Sequence, residues 1–226
     1  MKTKLFTFLM ITASLPLFSQ NGLEISVGPG FTNITLNGLN KSLRPHTDLH
    51  PGIQASVLYN QMIGEGFSIA AGVSYKQKGF IISESMNTTI LNIPLKLGVS
   101  AATTINYAEL PITLKYTLPS ENGVKISAYA GPSVGYALDG NIRTRANMLI
   151  DLNISKTNLD LTDPIYNRVE LGANMGIGAA LPMRSGNLVV GIQYNQGFSR
   201  VIDNTLLDFK ARNYGFGASI GYKINF

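Results

Sequence analysis

From Tyr214 to Phe226 the chain alternates between two kinds of residue without a break. Tyr214, Phe216, Ala218, Ile220, Tyr222, Ile224 and Phe226 share one face. Gly215, Gly217, Ser219, Gly221, Lys223 and Asn225 share the other. A period of two predicts a β-strand, because successive side chains point to opposite sides of the backbone. A wholly apolar face backed by a small or polar one suits a strand with lipid on one side and a polar interior on the other. Seven earlier segments repeat the pattern. Their apolar sets are Leu23 to Phe31, Ile53 to Tyr59, Phe67 to Tyr75, Leu110 to Tyr116, Val124 to Tyr136, Val169 to Leu181 and Leu188 to Tyr194. Each is close to the roughly 9–11 residues that a tilted strand needs to cross a bilayer.

The connections carry a second signal. They run long, short, long, short: residues 32–50, 60–66, 77–104, 118–123, 139–167, 183–187 and 199–212. Transmembrane barrels of the bacterial outer membrane have long extracellular loops and short periplasmic turns. With the amino terminus in the periplasm, every long connection falls outside and every short one inside. Aromatic residues give a third signal, since their amphipathic rings favour the membrane interface. Phe31, Tyr75, Tyr136, Tyr194, Phe198, Tyr214 and Phe216 are placed at the outer rim. Tyr59, Phe67, Tyr116, Tyr222 and Phe226 are placed at the inner rim. The predicted fold is therefore all-β: a transmembrane antiparallel up-and-down β-barrel of eight strands. Ten strands are the alternative, because Leu91-Ile93-Leu95-Leu97-Val99 and Met148-Ile150-Leu152-Ile154 also alternate. Pro94, lacking an N–H, argues against a central strand there, which favours hairpins that extend beyond the membrane.

At the amino terminus Lys2 and Lys4 precede an apolar stretch from Leu5 to Phe18. Too short to span a bilayer as a helix, it reads as a secretory signal over residues 1–20. Residues 21–226 then form one outer-membrane barrel domain. Removing Lys2 and Lys4 takes the formal charge from +5 to +3. So small a charge does not indicate a nucleic-acid partner, despite the basic isoelectric point. There is no Cys, so no disulfide framework supports the fold and no lipid anchor is attached through an amino-terminal Cys. The expected partners are outer-membrane lipid, the barrel insertion machinery through the terminal strand ending at Phe226, and a protein at the extracellular loops.

The inward face offers Glu24, Glu109 and Glu170 to Lys76, Lys115, Lys125 and Lys223. Eight strands enclose only enough space for side chains to fill, so a plug of paired charges is expected. A narrow ion or solute path is the competing reading. The only two histidines, His46 and His50, lie beside Asp48 between Pro45 and Pro51. The prolines oppose the helix that would bring both rings to one metal. Ser42 near these histidines lacks any nucleophile turn or orienting partner. The expectation is a non-enzymatic protein with no catalytic, metal or cofactor-binding residues and no cofactor.

Three stretches carry a family resemblance: Tyr75-Lys76-Gln77-Lys78-Gly79-Phe80, Tyr107 to Tyr116, and Tyr129-Ala130-Gly131-Pro132. They resemble the PorT-like outer-membrane β-barrel family of Bacteroidota. In that family the second stretch typically begins Tyr-Leu-Glu-Ile-Pro; here Ala108 replaces the Leu. The last two strands, Gly191 to Ser199 and Asn213 to Phe226, match as well. The resemblance implies an outer-membrane barrel and, for the family's namesake, a part in secretion machinery. Shared fold alone does not transfer that role.

Overall fold

The computed structural model describes residues 21–37, 45–90, 93–120, 123–147, 151–162, 166–204 and 209–226. Ten strands form one sheet: β1 (Gly22–Asn37), β2 (Thr47–Met62), β3 (Phe67–Ile90), β4 (Ile93–Thr117), β5 (Lys125–Asn147), β6 (Asp151–Asn158), β7 (Val169–Met183), β8 (Gly186–Gly197), β9 (Ile202–Asn204) and β10 (Phe209–Asn225). Eight of them, β1 to β5 with β7, β8 and β10, pair in order and antiparallel. The ring closes where β10 returns to β1, in register from Gly22 opposite Asn225 to Asn37 opposite Lys210. Closure leaves no unpaired edge inside the membrane, where unsatisfied backbone groups are costly. The Phe226 amide extends the seam by donating to the Asn21 carbonyl at 2.9 Å.

The eight-strand reading holds, and the ten-strand alternative is resolved strand by strand. Residues Ile93 to Val99 are the outer end of β4, which pairs with β3 out to Ile90 opposite Ile93. Leu91 lies outside the described residues. Pro94 is accommodated near the tip of that hairpin, opposite Thr89. Leu152 and Ile154 belong to β6, which pairs only with the outer end of β5 and does not enter the barrel wall; Met148 and Ile150 lie outside the described residues. The expected loop 77–104 is thus largely strand, and so are residues 139–147 and 151–158 of the expected loop 139–167. Beyond the membrane a strand has no lipid face, so alternation such as that from Ile93 to Val99 does not by itself mark a spanning segment.

The outward face is apolar throughout the spanning region. Ile112 is 56% and Ile192 59% exposed, and Ile53, Val73, Leu171, Ile177 and Ile220 are likewise exposed. Aromatic rings bound this belt. Tyr194 lies 5.1 Å from Phe216 at the outer rim, while Phe67–Tyr116 at 4.7 Å and Tyr59–Phe226 at 6.3 Å mark the inner one. The periplasmic turn between β2 and β3 is tight, with Gly66 at φ +75°, a left-handed conformation that costs glycine little. Among the described residues, two clusters of buried hydrophobic side chains lie above the membrane. Ile34, Leu36, Phe80 and Ala211 form one cluster; Ile105, Tyr107, Ala137, Leu161 and Val201 form the other.

Candidate functional site

The most unusual chemistry inside the barrel is a layer of buried charge near its outer end. On β3, Lys76 and Lys78 are two residues apart and therefore point the same way, into the lumen. Glu109 reaches them from the neighbouring β4 and Glu170 from β7 across the interior. The Lys76 Nζ is 2.8 Å from Glu109 Oε2. Lys78 pairs with the other Glu109 oxygen and lies 2.9 Å from Glu170 Oε1. Amides complete the shell. Lys76 donates to Asn195 Oδ1 at 2.8 Å and to Asn174 Oδ1 at 3.1 Å, and Asn213 donates to Glu170 Oε2 at 2.8 Å. The Tyr107 ring lies 5.0 Å from the Lys78 ammonium and is fully buried. Two cations and two carboxylates alternate here, so the layer is neutral. It ties β3, β4, β7, β8 and β10 together through the centre of the barrel.

Below it lies an uncharged layer. Gln54 bonds to Gln193 across the lumen and donates to the Ala218 carbonyl at 3.1 Å; Ser26 and Ser56 bond at 2.8 Å. A further ion pair lies toward the periplasmic end, with Lys115 Nζ 3.1 Å from Glu24 Oε2 and 3.3 Å from Asn60 Oδ1, beside a cavity of about 170 Å³ bordered by Lys125, Asn187 and Lys223. Between the two charged layers remains a cavity of about 70 Å³, bordered by Gln54, Ser74, Lys76, Thr113 and Tyr129. That is space for a few waters rather than a continuous path.

Of the inward charges that the sequence offered for pairing, the structure joins Glu109 to Lys76 and Glu24 to Lys115. Glu170 takes Lys78, a partner the sequence reading placed in a loop. The signal was weak: Lys76 and Lys78 keep the inward parity of Ser74, but the polar Gln77 between them interrupts the apolar face after Tyr75. Lys125 is exposed and Lys223 half-buried; among the described residues neither has a carboxylate within ion-pair distance. The two histidines diverge. His46 stays exposed, 3.2 Å from Asp48, whereas His50 is buried with its Nε2 2.8 Å from Thr104 Oγ1. Ser42 lies outside the described residues. Among the described residues no three metal-binding side chains gather.

A family model for the outer membrane protein beta-barrel domain matches residues 18–203. The chain belongs to that family. Together with the closed eight-stranded barrel and its apolar, aromatic-rimmed belt, this places the protein in the outer membrane. No curated protein matches the sequence. Among solved structures, Neisserial surface protein A is 14% identical, with 91% of this chain and 97% of that one covered, at a TM-score of 0.42. The outer membrane protein OprG from Pseudomonas aeruginosa is 9% identical, with 92% and 98% covered, at 0.46. The outer membrane protease OmpT from Escherichia coli is 10% identical, with 95% and 100% covered, at 0.40.

Proposed function

We propose that this protein is a closed, non-enzymatic outer-membrane scaffold that works through its extracellular end. One observation carries the reading: the neutral Lys76–Glu109–Lys78–Glu170 layer, tied to Asn174, Asn195 and Asn213, stands across the lumen. An ion passing that level would have to separate buried charge pairs, at a cost of several kcal/mol per pair. The elements that rise above the membrane supply the contrast. β3 and β4 extend well past the aromatic rim, and β6 and β9 widen the sheet there. Loops and strand ends held on a rigid barrel are where interaction surfaces develop, so the partner is a protein met at this outer end. The terminal strand through Phe226 serves as the contact for the insertion machinery, and residues 1–20 as the export signal. The motif Tyr107 to Tyr116 supports the PorT-like branch of the family.

Planar-bilayer recording of the refolded protein tests the closed state. The expected record is flat, without stepwise conductance. A steady single-channel current in the wild-type protein would overturn the proposal in favour of a narrow pore.

A further inference from the structure

Immediately above the charge layer the interior changes character. Inward positions that are polar in the membrane become apolar outside it: Ile34 and Leu36 follow Thr32 on β1, Phe80 and Ile82 follow Lys78 on β3, and Ile105 lies beyond Tyr107 on β4. This reverses what water at a barrel mouth would favour, since inward side chains near solvent have no reason to be hydrocarbon. These residues do not pack shut. They surround a cavity of about 240 Å³ walled by Ile34, Phe80, Ile105, Ile142, Val201 and Ala211, with Lys78 and Asn213 at its floor.

The walls are built, not accidental. Val201 and Tyr166 come from the segments that follow β8 and β6, and the backbone fastens both. Val201 N donates to the Ala211 carbonyl at 2.9 Å, Asn167 N to the Val201 carbonyl at 3.0 Å, and Ala137 N to the Arg168 carbonyl at 2.8 Å. The two apolar clusters thus face each other across an open interval, held by strands on one side and by fastened connections on the other.

We infer that this chamber is a binding site for a small, neutral, mainly apolar molecule taken from the extracellular side. Its size sets the scale: a cavity of about 150 Å³ lined by hydrocarbon holds benzene, so 240 Å³ holds about ten non-hydrogen atoms. Its chemistry sets the charge. Lys78 already serves two carboxylates, and the donor group of Asn213 is committed to Glu170. An anionic ligand would find no free cation at the floor, and a cation would meet no free carboxylate. The Thr103 hydroxyl on the wall can donate one hydrogen bond to a polar edge or accept from it. Aromatic heterocycles and short aliphatic alcohols or ketones fit this description. The inference uses the charge layer as a floor and does not depend on whether the barrel conducts.

Indole is a suitable probe, read by methyl NMR of isoleucine-labelled protein in lipid nanodiscs. Saturable shifts are expected at Ile34, Ile105 and Ile142. The lipid-facing Ile53, Ile177 and Ile220 report partition into the bilayer and should move only in proportion to the indole added. Ala101→Phe places a ring in the chamber and should weaken indole binding at least tenfold while the heat-dependent gel shift of the folded barrel persists. Absence of saturation at the chamber residues of the wild type would overturn the inference. So would equal, unsaturable shifts at both sets of isoleucines. The wild-type titration decides the matter even if Ala101→Phe fails to assemble. A conductance record that overturned the closed scaffold would leave this titration unaffected.

Discussion

At the scale of single residues, the interior rests on groups that cannot be removed one at a time. Lys78 is the sole cation facing Glu170 within ion-pair distance among the described residues, and it shares Glu109 with Lys76. Lys78→Met keeps much of the volume but strands carboxylate charge in a buried layer. The expected loss is about 3–5 kcal/mol, seen as a lower urea midpoint for the refolded barrel in detergent. Adding Glu170→Gln removes one of the stranded charges and should recover part of that loss. An unchanged midpoint for Lys78→Met alone would mean that the layer does not hold the strands together. Gly176 makes a different demand. It stands opposite Tyr129, and a Cβ at that position would fall 2.6 Å from the phenol ring and 2.5 Å from the Ile192 carbonyl. Gly176→Ala should therefore cost about 1–3 kcal/mol through overpacking, measured by the same titration.

At the scale of strands and hairpins, the spanning segments were legible in the sequence and their outer extensions only in part: the alternation from Ile93 to Val99 read as a hairpin beyond the membrane, whereas residues 77–82 read as loop. Where lipid touches one face, as from Phe216 to Phe226, the two-residue period is strict and both rims carry aromatics. From Lys76 to Ile82 water lies outside and mixed packing inside, so the same β3 continues without that signature. Glu170 and Lys78 meet only because β7 and β3 face each other across the ring, a proximity with no local trace in either segment. The apolar chamber was hidden for the same reason: Ile34, Phe80, Ile142 and Val201 sit in stretches that read as loops. The long β3–β4 hairpin yields a prediction at this scale. Replacing residues 86–97 by Asn-Gly joins the strands at the pair Ser85–Gly98 with a turn suited to two-residue hairpins. The shortened barrel should still refold and keep its heat-dependent gel shift, since the Lys76, Lys78 and Lys115 ion pairs all lie below the cut. Loss of the folded band would show that the hairpin tip is needed for the barrel itself.

At the scale of the whole molecule, three interior storeys are stacked inside one continuous wall: an ion pair at the periplasmic end, amides and hydroxyls behind the lipid belt, and a charge layer under an apolar chamber. The outer surface follows a separate rule, with apolar side chains between two aromatic rims. That arrangement fixes where the bilayer lies, and β10 measures it. Phe216 sits at the outer rim and Phe226 at the inner one, each in ring contact with a neighbour, and Ile220 falls between them. Ile224, also outward and exposed, lies two residues from Phe226. An arginine on the lipid face costs about 2–4 kcal/mol at the midplane and about 0–1 near the interfaces. Ile220→Arg should accordingly lower the folding free energy in lipid vesicles by the larger amount and Ile224→Arg by the smaller. Ser219→Arg, one position from Ile220 but turned inward, acts through crowding of the narrow cavity that Ser219 borders. Its effect should therefore persist in a thinner bilayer, where the penalty at Ile220 falls. Equal penalties at Ile220 and Ile224 would move the hydrocarbon core away from the belt between the rims and break the link between the aromatic pairs and the membrane boundary.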